Sequence, residues 1–246
     1  MEDKIAELQN LIDNSQNIVF FGGAGVSTES GLKDFRSVDG LYSMKYDYPP
    51  EEILSRTFFY NHTKEFYRFY FDKLLVDGIE PNAAHKKLVE LERAGKLKAI
   101  VTQNIDGLHQ LAGSKCVYEL HGTVAKNRCE RCHTFYNVDY VKSFKGEIPT
   151  CKCGGIIKPE VVLYEESLDQ NTVDGAVKAI ASADLLIVAG TSLTVYPASG
   201  LIGFFRGKNL VVINRDDNIG FVKGALFIKG KVGEVLSKIV VNNVLK

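Results

Sequence analysis

Ile18-Val19-Phe20-Phe21-Gly22-Gly23-Ala24-Gly25-Val26-Ser27-Thr28 decides the fold class. Its first half is an unbroken apolar run of β-branched and aromatic residues, as in a strand buried on both faces, and its second half is a glycine-rich turn. Between a strand and a helix, such a turn lets backbone amides approach a phosphate at the helix N-terminus. The dinucleotide fingerprint is imperfect, because Gly23-x-Gly25 is followed at the third position by Thr28 in place of Gly or Ala. On these residues alone, a tight turn of any α/β protein reads as well as a nucleotide site.

Comparable apolar runs recur at 99–102, 116–120, 185–189, 210–213 and 226–228, with helical patterns at 5–14, 83–94, 172–182, 198–206 and 232–241. This alternation predicts an α/β protein with a Rossmann-like, doubly wound parallel sheet. Two segments break it. Residues 37–81 carry aromatics in a helical pattern (Phe58, Phe59, Tyr60, Phe66, Tyr67, Phe69, Tyr70, Phe71), and residues 122–159 hold four of the five cysteines. The expected division is a Rossmann-like domain of residues 1–36, 82–121 and 160–246, and a smaller domain built from a helical module, 37–81, and a zinc-binding ribbon, 122–159.

Composition narrows the partners. The 246 residues include 30 Lys+Arg and 30 Asp+Glu, and 45% are hydrophobic. That excludes a disordered chain and gives no overall field for nucleic acid or anionic membrane. The first residues are acidic and then amphipathic, unlike a secretion signal. The uncharged stretch 185–205 is long enough to span a bilayer, but Gly190, Thr191, Ser192, Thr194, Pro197, Ser199, Gly200 and Gly203 read as strand, turn and short helix. A cytoplasmic protein is expected.

Ligand-type residues follow several strands. Thr102-Gln103-Asn104-Ile105-Asp106 emerges at the carboxyl end of one, His121-Gly122 after the next, then Gly190-Thr191-Ser192-Leu193 and Asn214-Arg215-Asp216. Open α/β sheets bind ligands at that edge. A lone His is more often structural than a base, but His121 shares the edge with Asn104 and Asp106. The loop Gly31-Leu32-Lys33-Asp34-Phe35-Arg36 adds a guanidinium for phosphate or ribose and a ring that can shield a reacting centre.

Cys129-x2-Cys132 and Cys151-x-Cys153, with Gly154-Gly155 behind, are close to a four-thiolate structural zinc ribbon. The second pair is one residue short, so the usual knuckle turn cannot form there unchanged. Alternate residues of an extended strand share a face, which still lets the two thiolates converge. Metal-free cysteines are the competing reading. Cys116, in an apolar run, reads as a buried inert thiol.

Together these motifs resemble the sirtuin family of NAD-dependent protein deacylases, bacterial type. The resemblance spans almost the whole chain and includes Lys158-Pro159-Glu160-Val161-Val162-Leu163-Tyr164 and Gly190-Thr191-Ser192-Leu193-Thr194-Val195-Tyr196-Pro197-Ala198. It implies a tunnel between the two domains, entered by NAD and an acyl-lysine peptide from opposite sides. Ala24, Gly25, Thr28, Arg36, Gly190, Thr191, Ser192, Asn214 and Val232 would hold the ADP-ribose part. Gln103 and Asn104 would hold the nicotinamide ribose, and Ile105 with Asp106 the carboxamide. Phe35 would cover the anomeric carbon. His121 would be the general base, with Asn104 beside it as the second catalytic residue. Zn²⁺ would sit on Cys129, Cys132, Cys151 and Cys153.

The implied reaction consumes NAD and releases nicotinamide, free lysine and 2′-O-acyl-ADP-ribose. The peptide would add as a strand between Val161, Val162, Leu163 and Tyr164 on one side and Thr194, Val195 and Tyr196 on the other. Family members that prefer acidic acyl groups carry a Tyr-x-x-Arg pair. Here Tyr67 matches, but Tyr70 stands at the Arg position, so neutral acyl groups are expected. Lys33 replaces the family's usual Pro. Mono-ADP-ribosyl transfer on the same fold is the alternative. A nicotinamide-dependent oxidoreductase is disfavoured by the imperfect fingerprint and the lack of an acidic residue about 20 positions downstream. No membrane or nucleic-acid partner is expected.

Overall fold

The computed structural model describes residues 2–34, 47–216 and 224–241. Its larger sheet contains β1 (Ile18–Gly22), β2 (Leu97–Thr102), β3 (Val117–Glu119), β7 (Leu185–Ala189), β8 (Asn209–Asn214) and β9 (Leu226–Lys229). They lie in the order β3-β2-β1-β7-β8-β9, and every neighbouring pair is parallel. The chain winds outward from β1 through β2 to β3, then returns to β1's other side as β7. The crevice outside the carboxyl ends of β1 and β7 is therefore the topological switch point, where doubly wound sheets take ligands.

Period-two alternation explains why the strand sequences are apolar throughout. Ile18, Phe20, Ile100, Leu185 and Ile187 pack on one face with Leu8, Ile12, Leu88 and Leu236. Val19, Phe21, Val101, Leu186 and Val188 pack on the other with Ala176 and Ile180. The helices behind these contacts are α1 (Glu2–Asn14), α5 (Ala83–Arg93) and α9 (Val232–Leu236) on the first face, and α8 (Gln170–Ser182) on the second.

A second, antiparallel sheet is formed by β4 (Gly122–Cys129), β5 (Phe135–Asn137) and β6 (Ile157–Val161), in the order β5-β4-β6. Its side chains share one apolar core with α2 (Pro50–Ile53), α3 (Arg56–Asn61) and α4 (Thr63–Phe69): Phe58, Phe59, Phe66, Tyr67 and Tyr70 pack with Val124, Cys129, Cys151 and Ile157. Val161 and Leu163 belong to the same core. The described residues also include two short α-helices, α6 (Leu108–Ala112) and α7 (Val138–Lys142), and a π-helical turn, Tyr70–Leu74.

Three local readings differ from expectation. The helix expected at 198–206 is a 3-10 helix, Ala198–Phe204, whose Gly200 and Gly203 weaken an α-helix. The one expected at 232–241 ends at Leu236, because the Gln9 side chain accepts from the Val240 amide at 2.8 Å and donates to its carbonyl at 3.0 Å. Cys116 lies just before β3 and is half-buried, its amide donating to Glu92 at 3.1 Å.

Candidate active site

The turn after β1 and the turn after β7 are packed backbone to backbone. The Gly25 amide donates to the Gly190 carbonyl at 2.8 Å, and a Cβ on Gly25 would come 2.7 Å from the Gly190 Cα. Gly190 itself has φ +60, a left-handed conformation that suits glycine. Both loops thus expose main chain along one wall of a cavity of about 850 Å³. The Gly25 and Gly190 amides are themselves bonded, to the Gly190 and Ile213 carbonyls, so what these turns offer a phosphate is close approach to glycine main chain.

Of the expected nucleotide-site residues, Ala24, Gly25, Thr28, Gln103, Asn104, Ile105, Asp106, His121, Gly190, Thr191, Ser192, Asn214 and Val232 line this cavity. Phe35 and Arg36 lie outside the described residues. On the expected peptide edge, Val161, Val162, Leu163, Tyr164, Val195 and Tyr196 line it as well. Thr194 is not among the lining residues; its hydroxyl pairs with that of Ser192 at 2.8 Å.

A hydrogen-bonded chain organises the floor. Asn104 Nδ2 donates to Ser27 Oγ at 3.0 Å, and the Ser27 hydroxyl donates to Asp106 Oδ2 at 2.7 Å. The Leu108 amide donates to Asp106 Oδ1 at 2.9 Å. Burial raises the Asp106 pKa above its ordinary value, while these two donors pull the other way. Gln103 Nε2 donates to Thr191 Oγ1 at 3.2 Å, which joins the turn after β2 to the turn after β7. Ser27 went unassigned from sequence because a serine inside a glycine turn carries no signal of its partner 79 residues away.

His121 Nδ1 lies 2.8 Å from the Gln103 carbonyl oxygen. A carbonyl only accepts, so Nδ1 carries the proton and Nε2 keeps a free lone pair. Burial lowers the ring's pKa from the ordinary 6.5, opposed by the Gln103 bond. The site therefore holds a neutral imidazole suited to accepting a proton. The His121 carbonyl accepts from the Val162 amide at 2.9 Å, which ties the imidazole's backbone to the expected peptide edge.

Leu54, Leu74 and Ile105 bring apolar surface to the same cavity. Tyr67 and Tyr70 are buried in the aromatic core and are not among its lining residues. Lys73 does line it, ion-paired to Asp72 at 3.0 Å.

In the second sheet, the four Sγ atoms of Cys129, Cys132, Cys151 and Cys153 lie within 4.8 Å of one another. Two of the separations, Cys129–Cys153 and Cys132–Cys151, are 3.5 Å. Zn–S bonds of about 2.3 Å in a tetrahedron put sulfurs about 3.8 Å apart, so the cluster fits the ion despite the short Cys151-x-Cys153 spacing.

A family model described as the Sir2 family matches residues 23–197. A protein of Clostridium perfringens named NAD-dependent protein deacetylase is 56% identical over 244 residues, covering 98% of this chain and 100% of that protein. One of the same name from Staphylococcus epidermidis is 42% identical, covering 97% and 98%. Among solved structures, a Sir2 enzyme studied for mechanism and regulation aligns with a TM-score of 0.86 at 42% identity, covering 98% of this chain and 97% of that one. A Sir2 complex with a p53 peptide and NAD+ aligns at 0.81 and 38% identity, covering 94% and 95%. The chain belongs to the Sir2 family, the sirtuins.

Proposed function

We propose that this sirtuin is an NAD-dependent protein-lysine deacetylase that releases nicotinamide and transfers neutral acyl groups to ADP-ribose. The observation that carries the reading is the lone pair left on His121 Nε2, in the same cavity as the paired glycine turns at Gly25 and Gly190. When bound, NAD supplies the ribosyl carbon that the acyl oxygen joins as nicotinamide leaves.

The chain's own residues would divide the work as follows. Ala24, Gly25, Thr28, Gly190, Thr191, Ser192, Asn214 and the backbone at Val232 hold the dinucleotide, and the sirtuin resemblance adds Arg36 and Phe35, which lie outside the described residues. Gln103 and Asn104 orient the nicotinamide ribose, and Ile105 with Asp106 the carboxamide. His121 accepts a proton from a ribose hydroxyl through Nε2, a role open to a ring that is neutral near pH 7. Val161–Tyr164 and Thr194–Tyr196 take the peptide between them by main-chain pairing. Leu54, Leu74 and Ile105 favour an uncharged acyl group, because a buried carboxylate needs a cation to offset its desolvation. Zn²⁺ on the four cysteines fastens the second sheet.

Thiolate zinc ligands suit a reducing compartment, which supports a cytoplasmic location. No described helix is long and apolar enough to cross a membrane. The test is incubation of the protein with NAD and an acetyl-lysine peptide: equal yields of nicotinamide and deacetylated peptide are expected. NADH formation, or ADP-ribose attached to protein in place of deacetylation, contradicts the reading.

A further inference from the structure

The shortened cysteine pair leaves one sulfur with an unusual donor. Cys129 Sγ accepts the Arg131 and Cys132 amides at 3.4 and 3.5 Å, both from its own Cys129-x2-Cys132 turn. In Cys151-x-Cys153 the turn is one residue shorter, and Cys151 Sγ accepts the Cys153 amide at 3.5 Å. It also takes the hydroxyl of Tyr136 at 3.0 Å. Tyr136 belongs to β5, outside both cysteine turns. Its ring is fixed by stacking on Tyr140, centroids 4.4 Å apart.

We propose that Tyr136 is a positioning residue for the metal, its hydroxyl donating to the Cys151 thiolate where the short turn supplies fewer amides. Four thiolates around Zn²⁺ carry a net charge of −2, and hydrogen bonds to sulfur withdraw part of it. A thiolate so bonded is less basic and less readily lost to a proton or a competing chelator. The same bond ties β5, already laddered to β4, to the second cysteine pair. Tyr140 supplies the internal comparison: its hydroxyl in the same stack donates to the Thr150 carbonyl at 3.3 Å and not to sulfur.

The test uses the zinc-loaded full chain. Tyr136→Phe removes the hydroxyl and keeps the ring. Its zinc release to a chromogenic chelator at equilibrium is expected to rise, the affinity falling about 10- to 100-fold, the usual cost of losing an outer hydrogen bond to a ligand. With Co²⁺ in place of zinc, the sulfur-to-cobalt charge-transfer band is expected to shift in Tyr136→Phe and to stay put in Tyr140→Phe. Unchanged release and an unchanged band in a folded Tyr136→Phe overturn the proposal, as does a chain that takes up no zinc. If Tyr136→Phe does not fold, 3-fluorotyrosine at position 136 retains the ring and makes the hydroxyl more acidic. A moved cobalt band then supports the proposal and an unmoved one overturns it.

Discussion

The Nδ1 of His121 is held 2.8 Å from the Gln103 carbonyl, which fixes the tautomer and leaves Nε2 as the acceptor. Burial keeps the folded pKa below 6.5, so the basic form predominates at neutral pH and is lost as pH falls through that lower value. The acidic limb of kcat/KM for the acetyl peptide is therefore expected below pH 6.5. A rate profile that titrates above 6.5 with this residue contradicts the assignment.

His85 and His109 lie ring to ring with centroids 4.7 Å apart, both buried and away from the cavity. Burial lowers their pKa values to about 4 and about 3, and for His109 the neighbouring His85 adds to the shift. His85 Nδ1 also accepts the Asn82 amide at 3.3 Å in the cap of α5, a bond lost on protonation. At pH 7 the folded rings are neutral and the unfolded ones about a quarter protonated, so their contribution to pH dependence there is small. Below about 6.5 the unfolded rings bind protons and the folded rings do not. Stability then falls by about 1.4 kcal/mol per pH unit for each ring until the folded values are reached. Urea titrations at pH 7, 6 and 5 should show a dependence that steepens toward this slope as pH falls, and His109→Leu should flatten the step from pH 6 to 5 by about one proton. An identical slope in His109→Leu refutes the account.

Acyl selectivity follows from the cavity wall. Tyr70 is fully buried in the aromatic core, and Lys73 is already paired with Asp72. Deacetylation is expected to exceed desuccinylation on matched peptides by at least about tenfold, the equivalent of 1.4 kcal/mol. Faster desuccinylation contradicts it.

Removing the metal should act on the peptide side first. Cys129 and Cys151 share their core with Val161 and Leu163, whereas the Gly25–Gly190 contact joins the turns that leave two strands of the parallel sheet. One zinc per chain is expected. Chelation should raise the KM for peptide more than that for NAD and lower the melting temperature. A metal-free protein with unchanged melting and unchanged KM values argues against a structural ion.

Much of this was legible in the sequence, and for physical reasons. Runs such as Leu185-Leu186-Ile187-Val188 are apolar on both faces because alternate residues enter different cores, so strand type and parallel pairing follow together. The strand-end residues converge because all their strands point the same way. What eluded sequence reading depends on contacts distant along the chain. Ser27 bridges Asn104 and Asp106, Gln9 ends the last helix by capturing Val240, and Tyr136 compensates a short cysteine turn. No local pattern announces a partner that many residues away. Leu54 and Leu74 were equally silent, since an apolar residue in or just after a core helix reads the same whether it meets the core or the cavity.

The central claim is a proton accepted by His121 in an NAD-dependent deacylation. Its most direct test measures nicotinamide and deacetylated peptide together, by mass, for the wild type and for His121→Ala at pH 7.5. Equal yields in the wild type and a loss of about 10²- to 10⁴-fold in deacetylation by a folded, NAD-binding His121→Ala are expected. Wild-type turnover in that variant contradicts the account.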